Sequence, residues 1–347
     1  MSGGDADRAP APAPVAEGAA GAARAGGGWR ARLGGLARIH PIYIVLIALL
    51  VAIAWMSPVF AEPAGMMNFL RRAAPLMILA AGQVFVIVAG GFDLAVGSLV
   101  TLVVLGSALM IDGDPTMTGI TLAVMVGVGV AVGLVNGAIV AYLKVPSIIA
   151  TLGMLISLKG VALSLSGGSP QGYLPENFRF FGRHTFTDIP LIGILPVAVI
   201  VLVVFGALAI WLMHGTRFGK QVLALGDNPR AAELAGVNVP VVRIGAFLIS
   251  ALSAVVAGVL LGGFAGVSTD VGDGYELQAI AAAVIGGAQL LGGRGSVPTA
   301  IAGALTLSAL FTLLNLLGFP KPLRDAVQGL ILIAAVAYTM AQRHRRG

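Results

Sequence analysis

The sequence predicts an all-α fold, a polytopic membrane helical bundle with about 10 transmembrane helices and both termini in the cytoplasm. Of its 347 residues, 58% are hydrophobic and only 10% are charged, whereas soluble proteins average about 25% charged. Apolar runs recur along the chain, each near the ~20 residues that cross a bilayer as a helix. The chain has 49 Gly and no Cys. Glycine favours close helix packing in lipid, and the lack of cysteine excludes disulfides and thiolate chemistry.

The elements follow in order. Residues 1–39 are rich in Ala, Pro and Gly with scattered Arg, a composition that predicts a disordered cytoplasmic tail. A transmembrane domain is expected at 40–341, and a short basic cytoplasmic tail at 342–347. The apolar runs place spans near 41–60, 73–90, 94–111, 119–143, 145–166, 190–213, 240–264, 276–292, 297–317 and 323–341.

The basic residues set the expected orientation. With both ends inside, fourteen of the 21 Lys and Arg residues fall in cytoplasmic segments and six fall outside, in agreement with the positive-inside rule. Arg71 and Arg72 are the exception, because a basic pair resists translocation. Lys159 lies within a span, near its outer part, and is expected to extend its ammonium group to the interface. The net charge of +6 therefore reflects the cytoplasmic loops, and no nucleic-acid partner is expected.

Two connections are hydrophilic, an external one at 167–188 and an internal one at 214–239. Neither has room for an ATPase domain. The nearest match to a phosphate-binding G-x-x-x-x-G-K-[ST] loop, "GTRFGKQ" at Gly215, has the wrong spacing and lacks the final Ser or Thr. The four His residues lie in flanks and loops without metal-ligand spacing. The chain is therefore expected to be no enzyme, with no metal site and no catalytic residues.

The internal connection contains a predicted short helix, "GDNPRAAELAG" from Gly226. Asn228 can cap it, Pro229 suits its first position and Gly236 suits the left-handed residue just past its end. A helix of about seven residues is marginal alone in water and needs a surface to pack against. From these residues, a partner protein and the chain's own bundle are equally good candidates for that surface.

Three segments carry a resemblance to a known family. They are "GTRFGKQVLALGDNPRAAELAGVNV" from Gly215, "GQVFVIVAGGFDLAVGSLV" from Gly82 and "ELQAIAAAVIGGAQLLGGRGS" from Glu276. In order and spacing, residues 41–341 resemble permease subunits of ATP-binding-cassette (ABC) sugar importers, the family of the ribose, xylose and arabinose permeases. Phe92, Ala95, Ala235 and Pro298 depart from its usual Ile, Ser, Ser and Gly.

The resemblance implies a function and partners. The chain would be the permease of an importer in a bacterial inner membrane, carrying a monosaccharide (pentose or hexose) or a similar small polyol. It would pair with a second permease subunit, most simply as a homodimer. A periplasmic binding protein would deliver the cargo to external loops, with Gly167–Asp188 and Ala265–Tyr275 as candidates. A separate ATPase subunit would hold ATP and Mg, so this chain needs no cofactor.

In that family the internal loop supplies the helix that couples the permease to the ATPase. The residues expected to couple here are Arg217, Asp227, Asn228, Arg230, Ala231, Glu233, Leu234 and Gly236.

Polar and Gly-rich positions inside the membrane are candidates for the translocation path or gate. An ionised Asp93 near a span's centre is costly, about 2.5–3.5 kcal/mol, and it either caps the next helix after a break at Gly90 and Gly91 or lines the path. "GGFDLAVG" at Gly90 and "GGAQLLGG" at Gly286 share a pattern that indicates two helix breaks near one gate, although chance is a live explanation in so Gly-rich a chain. The side-chain amides of Gln83, Asn136 and Gln289 can instead form hydrogen bonds between helices. The candidates are Gln83, Gly90, Gly91, Asp93, Ser98, Asn136, Gly286, Gly287 and Gln289.

An ion-coupled secondary transporter of a small polar solute is the alternative, since broken helices suit it too. Such a carrier usually buries carboxylates near the membrane midplane. Here most acidic residues are expected in external loops or at span ends, Asp273 and Glu276 among them, and this favours an importer powered by a partner.

Overall fold

The computed structural model of the protein describes residues 40–190 and 192–344. The predicted N-terminal tail and residues 345–347 of the predicted basic tail lie outside them. The described helices are α1 (Pro41–Met56), α2 (Pro58–Ala61), α3 (Pro63–Val88), α4 (Val96–Ile111), α5 (Thr118–Tyr142), α6 (Ser147–Leu165), α7 (Glu176–Arg183), α8 (Val197–Ile210), α9 (Arg217–Asp227), α10 (Pro229–Leu234), α11 (Val239–Ala265), α12 (Tyr275–Ile285), α13 (Val297–Leu316) and α14 (Lys321–His344).

Six of these elements are long and apolar enough to cross a membrane, namely α3, α5, α6, α8, α11 and α13 with their flanking turns. Three more, α1, α4 and α12, are apolar but shorter. The predicted helical membrane bundle is therefore confirmed. The total of about ten spans and the location of the termini stay predictions.

Helices α3 and α11 form the centre of the bundle. Every residue of α3 from Ala73 to Val88 is buried, and α11 packs against α3, α4 and α5. The α5–α11 contact depends on glycines, because a Cβ on Gly133 or Gly137 would lie 2.7 Å or 2.6 Å from the Cα of Leu248 or Ile244. The G-x-x-x-G spacing of α5 thus marks a helix contact, as the sequence predicts.

Several boundaries differ from the predicted spans. Helix α3 begins at Pro63, ten residues earlier than expected, so Arg71 and Arg72 lie inside it. Helix α12 ends at Ile285, whereas the span was expected to reach 292, because Gly286 and Gly287 end the helix and the chain turns tightly up to Ser296. Helix α14 continues to His344, past the predicted end of its span.

The external connection contains the exception to the all-α prediction. Strands β1 (Thr185–Ile189) and β2 (Gly193–Pro196) pair antiparallel after α7. The span expected from 190 therefore starts only at Val197, because the apolar residues before it belong to β2.

Much of the outer surface of the bundle is apolar. Ile156 of α6 and Val203 of α8 are 64% and 63% exposed. Large apolar side chains so exposed to water are unfavourable, and a lipid environment accounts for them.

Candidate functional site

The predicted short helix of the internal connection is present as α10. The Asn228 side chain accepts hydrogen bonds from the N–H groups of Arg230 (3.1 Å) and Ala231 (3.0 Å), and Pro229 occupies the first helical position. At the other end Gly236 has a φ of 83°. Its N–H bonds to the Glu233 carbonyl while the next N–H bonds to that of Ala232, a Schellman ending. Both ends are therefore fixed by local sequence.

One face of α10 is open to solvent. Arg230 Nη1 lies 2.9 Å from Glu233 Oε2, with the two side chains 76% and 61% exposed, and Leu234 is 77% exposed. Ala231 and Gly236 are exposed as well, and so are the expected coupling residues Arg217 and Asp227 on α9. Only Ala232 faces the protein. An exposed leucine beside an ion pair is the kind of surface that a partner protein can cover.

A second helix precedes α10 and was missed by the sequence reasoning. Helix α9 is capped at its start by Thr216, whose hydroxyl oxygen accepts a hydrogen bond from Gly219 N–H (3.2 Å). Val222 and Leu225 are fully buried. The signal was present, since Phe218, Val222 and Leu225 follow a capping Thr at helical spacing. Helix α9 thus holds the start of α10 against the bundle.

The end of α9 meets both glycine-rich breaks. The N–H of Gly293, in the loop after α12, donates to the carbonyl of Val88 at the end of α3 (2.9 Å). A Cβ on Gly226 would overlap both this carbonyl and the Gly293 nitrogen, and a Cβ on Gly292 would lie 3.0 Å from Gly226 Cα. We call this backbone contact of Val88, Gly226, Gly292 and Gly293 the glycine junction.

The junction brings together the two segments with the shared G-G-x-x-L-x-x-G pattern, but not through their first glycines. Gly90 faces the Leu291 carbonyl only at ordinary contact distance, 3.8 Å from a Cβ. Gly286 packs instead against Thr299 and Ala300 at the start of α13, and Gly287 is exposed with a φ of 92°. Gln289 pairs its backbone N–H with the Arg294 carbonyl (2.8 Å).

A cavity of about 590 Å³ lies between α10 and the first break. Arg230 and Glu233 line it from α10, and Gly90 and Gly91 line it from the break, together with Lys144 and Arg243. Movement of α10 therefore has an open space beside the segment that leads into α4.

Two of the polar candidates in the core, Gln83 and Asp93, lie around Ser250, a residue that the sequence reasoning missed. The Ser250 hydroxyl on α11 lies 3.4 Å from Gln83 Oε1 and also reaches the Asp93 carboxylate. Asp93 is buried, and its Oδ1 accepts the N–H of Ala95 (3.0 Å), just before α4. This bond lies in the turn before α4, whose N-cap residue is Ala95 and has no side-chain cap. The two interpretations of Asp93, as a helix cap and as a residue of the path, both stay predictions. A single Ser in an apolar span gives no signal in the sequence.

Two other candidates lie apart from this cluster. Ser98 is buried in the first turn of α4, and Asn136 is fully buried on α5. Neither side-chain atom of Asn136 has a hydrogen-bond partner among the described residues.

Comparison with known proteins decides the family. Residues 65–336 match the family described as "Branched-chain amino acid transport system / permease component". The ribose import permease protein of Escherichia coli strain K12 is 36% identical over 296 residues, which cover 84% of this chain and 91% of that protein. The chain belongs to this permease family. With its apolar helices, the permease is a multi-pass protein of the inner membrane.

Other relatives are named for different transported compounds. The galactose/methyl galactoside import permease protein of Haemophilus influenzae is 33% identical to the permease over 319 residues, 87% of this chain and 94% of that protein. The autoinducer 2 import system permease protein of Salmonella paratyphi B is 34% identical over 264 residues, 76% and 74% of the two chains. No solved structure matches the permease.

Proposed function

We propose that the permease is the membrane subunit of an ATP-binding-cassette importer for a monosaccharide, pentose or hexose, or a similar small polyol. A separate cytoplasmic ATPase subunit binds ATP and Mg and drives the cycle, and this chain hydrolyses nothing itself. The family and the names of its relatives support the class of cargo. They do not distinguish one sugar from another.

The single observation that carries the coupling role is the position of α10. Its exposed face offers Arg230, Glu233 and Leu234 to a partner, and the residues before it lead directly into the glycine junction. A partner that moves α10 therefore acts on the ends of α3 and α12 through backbone contacts, without flexible side chains between them. Well-packed contacts transmit displacement because they deform little.

The outer surface suits a cargo-binding protein at residues 167–188, where α7 and β1 lie. The second external candidate, Ala265–Tyr275, is different from the expected loop. Its Gly272 N–H donates to Thr101 Oγ1 of α4 (3.1 Å), so this segment turns into the bundle. We therefore assign binding-protein docking to α7 and the hairpin.

A second copy of the chain is part of the proposal. Helix α6 exposes Gly153, Ser157 and Gly160 along one stripe, and a Cβ on either glycine would meet nothing within 4 Å. Small residues at such positions let a second helix approach closely.

Purification of the tagged permease from its native membrane in mild detergent tests the proposal. We expect an ATP-binding subunit to copurify in matching amount. The double variant Arg230→Ala with Glu233→Ala should lose that subunit while remaining inserted. Lys220→Ala, an exposed position on α9, is the matched control and should retain it. Recovery of the permease without any nucleotide-binding protein would count against the importer.

One observation favours the alternative, an ion-coupled secondary transporter. The Glu276 carboxylate lies against the start of α4, at one end of the predicted span, and Asp273 pairs with Lys159. Carboxylates at depth are typical of ion-coupled carriers. Uptake driven by an ion gradient in vesicles without ATP would select this alternative.

A further inference from the structure

Of the three shorter apolar helices that the structure describes, α4 and α12 begin at the same place. Helix α4 has 16 residues and α12 has 11. A Cβ on Gly97, the second residue of α4, would overlap the Gly272 carbonyl and the Glu276 carboxylate. Gly272 N–H also donates to Thr101 Oγ1. The first turns of α4 and α12 are therefore in direct contact.

The two helices then leave this contact toward opposite ends of the bundle. Helix α4 ends at Ile111, which packs with Leu174 and Phe178 beside the external hairpin. Helix α12 ends at the start of α13, near the glycine junction. At 1.5 Å per residue, the contact lies about 21 Å from the end of α4 and about 14 Å from the end of α12. Where these two helix ends mark the faces of a hydrocarbon core about 30 Å thick, the contact lies well inside it.

Charged side chains surround this contact. Lys159 Nζ on α6 lies 2.7 Å from Asp273 Oδ2, and Glu276 is close enough to interact with both charges. Lys159 is about 9 Å from the nearer end of α6, and the ion pair holds its ammonium group at the contact. The structure thus gives the Lys159 ammonium group a partner, and its extension to the membrane interface stays a prediction.

The ion pair is not enclosed by the protein. The side chains of Lys159 and Asp273 are 40% and 46% exposed. Charged groups at this depth almost always face a bundle interior or a water-filled cavity, because lipid solvates them poorly. The immediate surroundings of the ion pair are thus expected to be hydrated, next to the lipid-facing Ile156 of α6.

We infer that Lys159, Asp273 and Glu276 form a binding site for the hydroxyl groups of a neutral sugar or polyol, in a hydrated path over the α6–α12 face. Ammonium and carboxylate groups donate to and accept from hydroxyls, and hydrogen bonds to charged groups are the stronger kind. This inference rests on the proposed function for its cargo, and it places the path on the surface of each subunit, along the α6–α12 face.

Thiol labelling tests this hydration directly, because the chain has no cysteine of its own. Asp273→Cys removes one partner of the ion pair, and Leu277→Cys, at a position 45% exposed, leaves the pair intact. Val203→Cys on α8 is the control, since Val203 is 63% exposed in the middle of a helix that carries no charged partner for it. In proteoliposomes of the whole importer, a charged water-soluble thiol reagent should modify the two test variants at least about tenfold faster than the control, because only thiols in water ionise readily.

Cargo is tested in the same proteoliposomes, with ribose and galactose as probes. The sugar that the preparation takes up should slow modification of Leu277→Cys. Equal reactivity of all three variants, or modification that the transported sugar leaves unchanged, would overturn the inference. Absence of ATP-dependent uptake by the wild-type importer would instead overturn the proposed function, and with it the cargo named here.

A charge swap separates a binding role from a structural one. Lys159→Met should raise the sugar concentration for half-maximal uptake by about tenfold, as expected for a lost charged hydrogen bond. The swap of Lys159→Asp with Asp273→Lys should not restore the wild-type value, because it moves each charge relative to Glu276 and the cargo. Full restoration by the swap would mean that the pair only holds α6 to the bundle.

Discussion

Asn228 shows how one residue fixes the candidate coupling helix. Its side chain satisfies two of the backbone N–H groups that the first turn of α10 leaves without helical partners. Asn228→Ala should therefore cost about 1 kcal/mol of local stability and increase amide hydrogen exchange at Arg230 and Ala231. Asn228→Asp keeps an accepting oxygen and should behave like the wild type. Unchanged exchange in Asn228→Ala would contradict the assigned cap.

Ser250 is the residue on which the buried polar cluster depends. Ser250→Ala leaves Gln83 and Asp93 without the hydroxyl that both reach, and an unsatisfied buried polar group costs about 1–3 kcal/mol. We expect a lower midpoint of thermal unfolding in detergent. Ser157→Ala, exposed on α6 and bonded only to the Gly153 carbonyl, should change the midpoint little. Equal effects of the two substitutions would contradict this account.

At the scale of elements, the glycine junction should not tolerate a side chain. Gly226→Ala places a methyl group against the Val88 carbonyl and the Gly293 nitrogen, and such overpacking typically costs about 1–3 kcal/mol. Uptake should fall while the protein remains inserted, because the added methyl group moves the end of α9 away from Val88 and from Gly293. Gly127→Ala on α5, where a Cβ would meet nothing within 4 Å, is the control and should be neutral or slightly stabilising. Normal uptake by Gly226→Ala would show that the junction transmits nothing.

The elements also show what a single sequence can predict. The apolar runs located the long helices, and Asn228, Pro229 and Gly236 located α10, because these signals are local. Hydropathy could not show that the segment from Gly266 to Gly274 folds into the bundle. Its position depends on contacts with Gly97 and Thr101, which are far away in the sequence. For the same reason Asp273 and Lys159 were assigned separately and not as a pair. The cluster around Ser250 likewise depends on long-range packing.

At the scale of the whole molecule, two regions of the permease have distinct roles. The cytoplasmic end joins α10 to the breaks through the glycine junction, and the middle joins α4 to α12 beside the ion pair. Helix α12 connects the two, with its first turn at the ion pair and its end near the junction. A displacement of α10 therefore reaches the proposed cargo site through one short helix, which is how ATP hydrolysis by a partner would open the path.

The most direct test of this account is uptake of ribose and galactose by proteoliposomes that contain the permease, its copurified ATPase and its binding protein. We predict uptake that requires ATP, persists when ion gradients are collapsed and disappears in the Arg230→Ala, Glu233→Ala double variant. Uptake by the permease alone under an ion gradient, unchanged in that variant, would contradict the account and establish a secondary transporter.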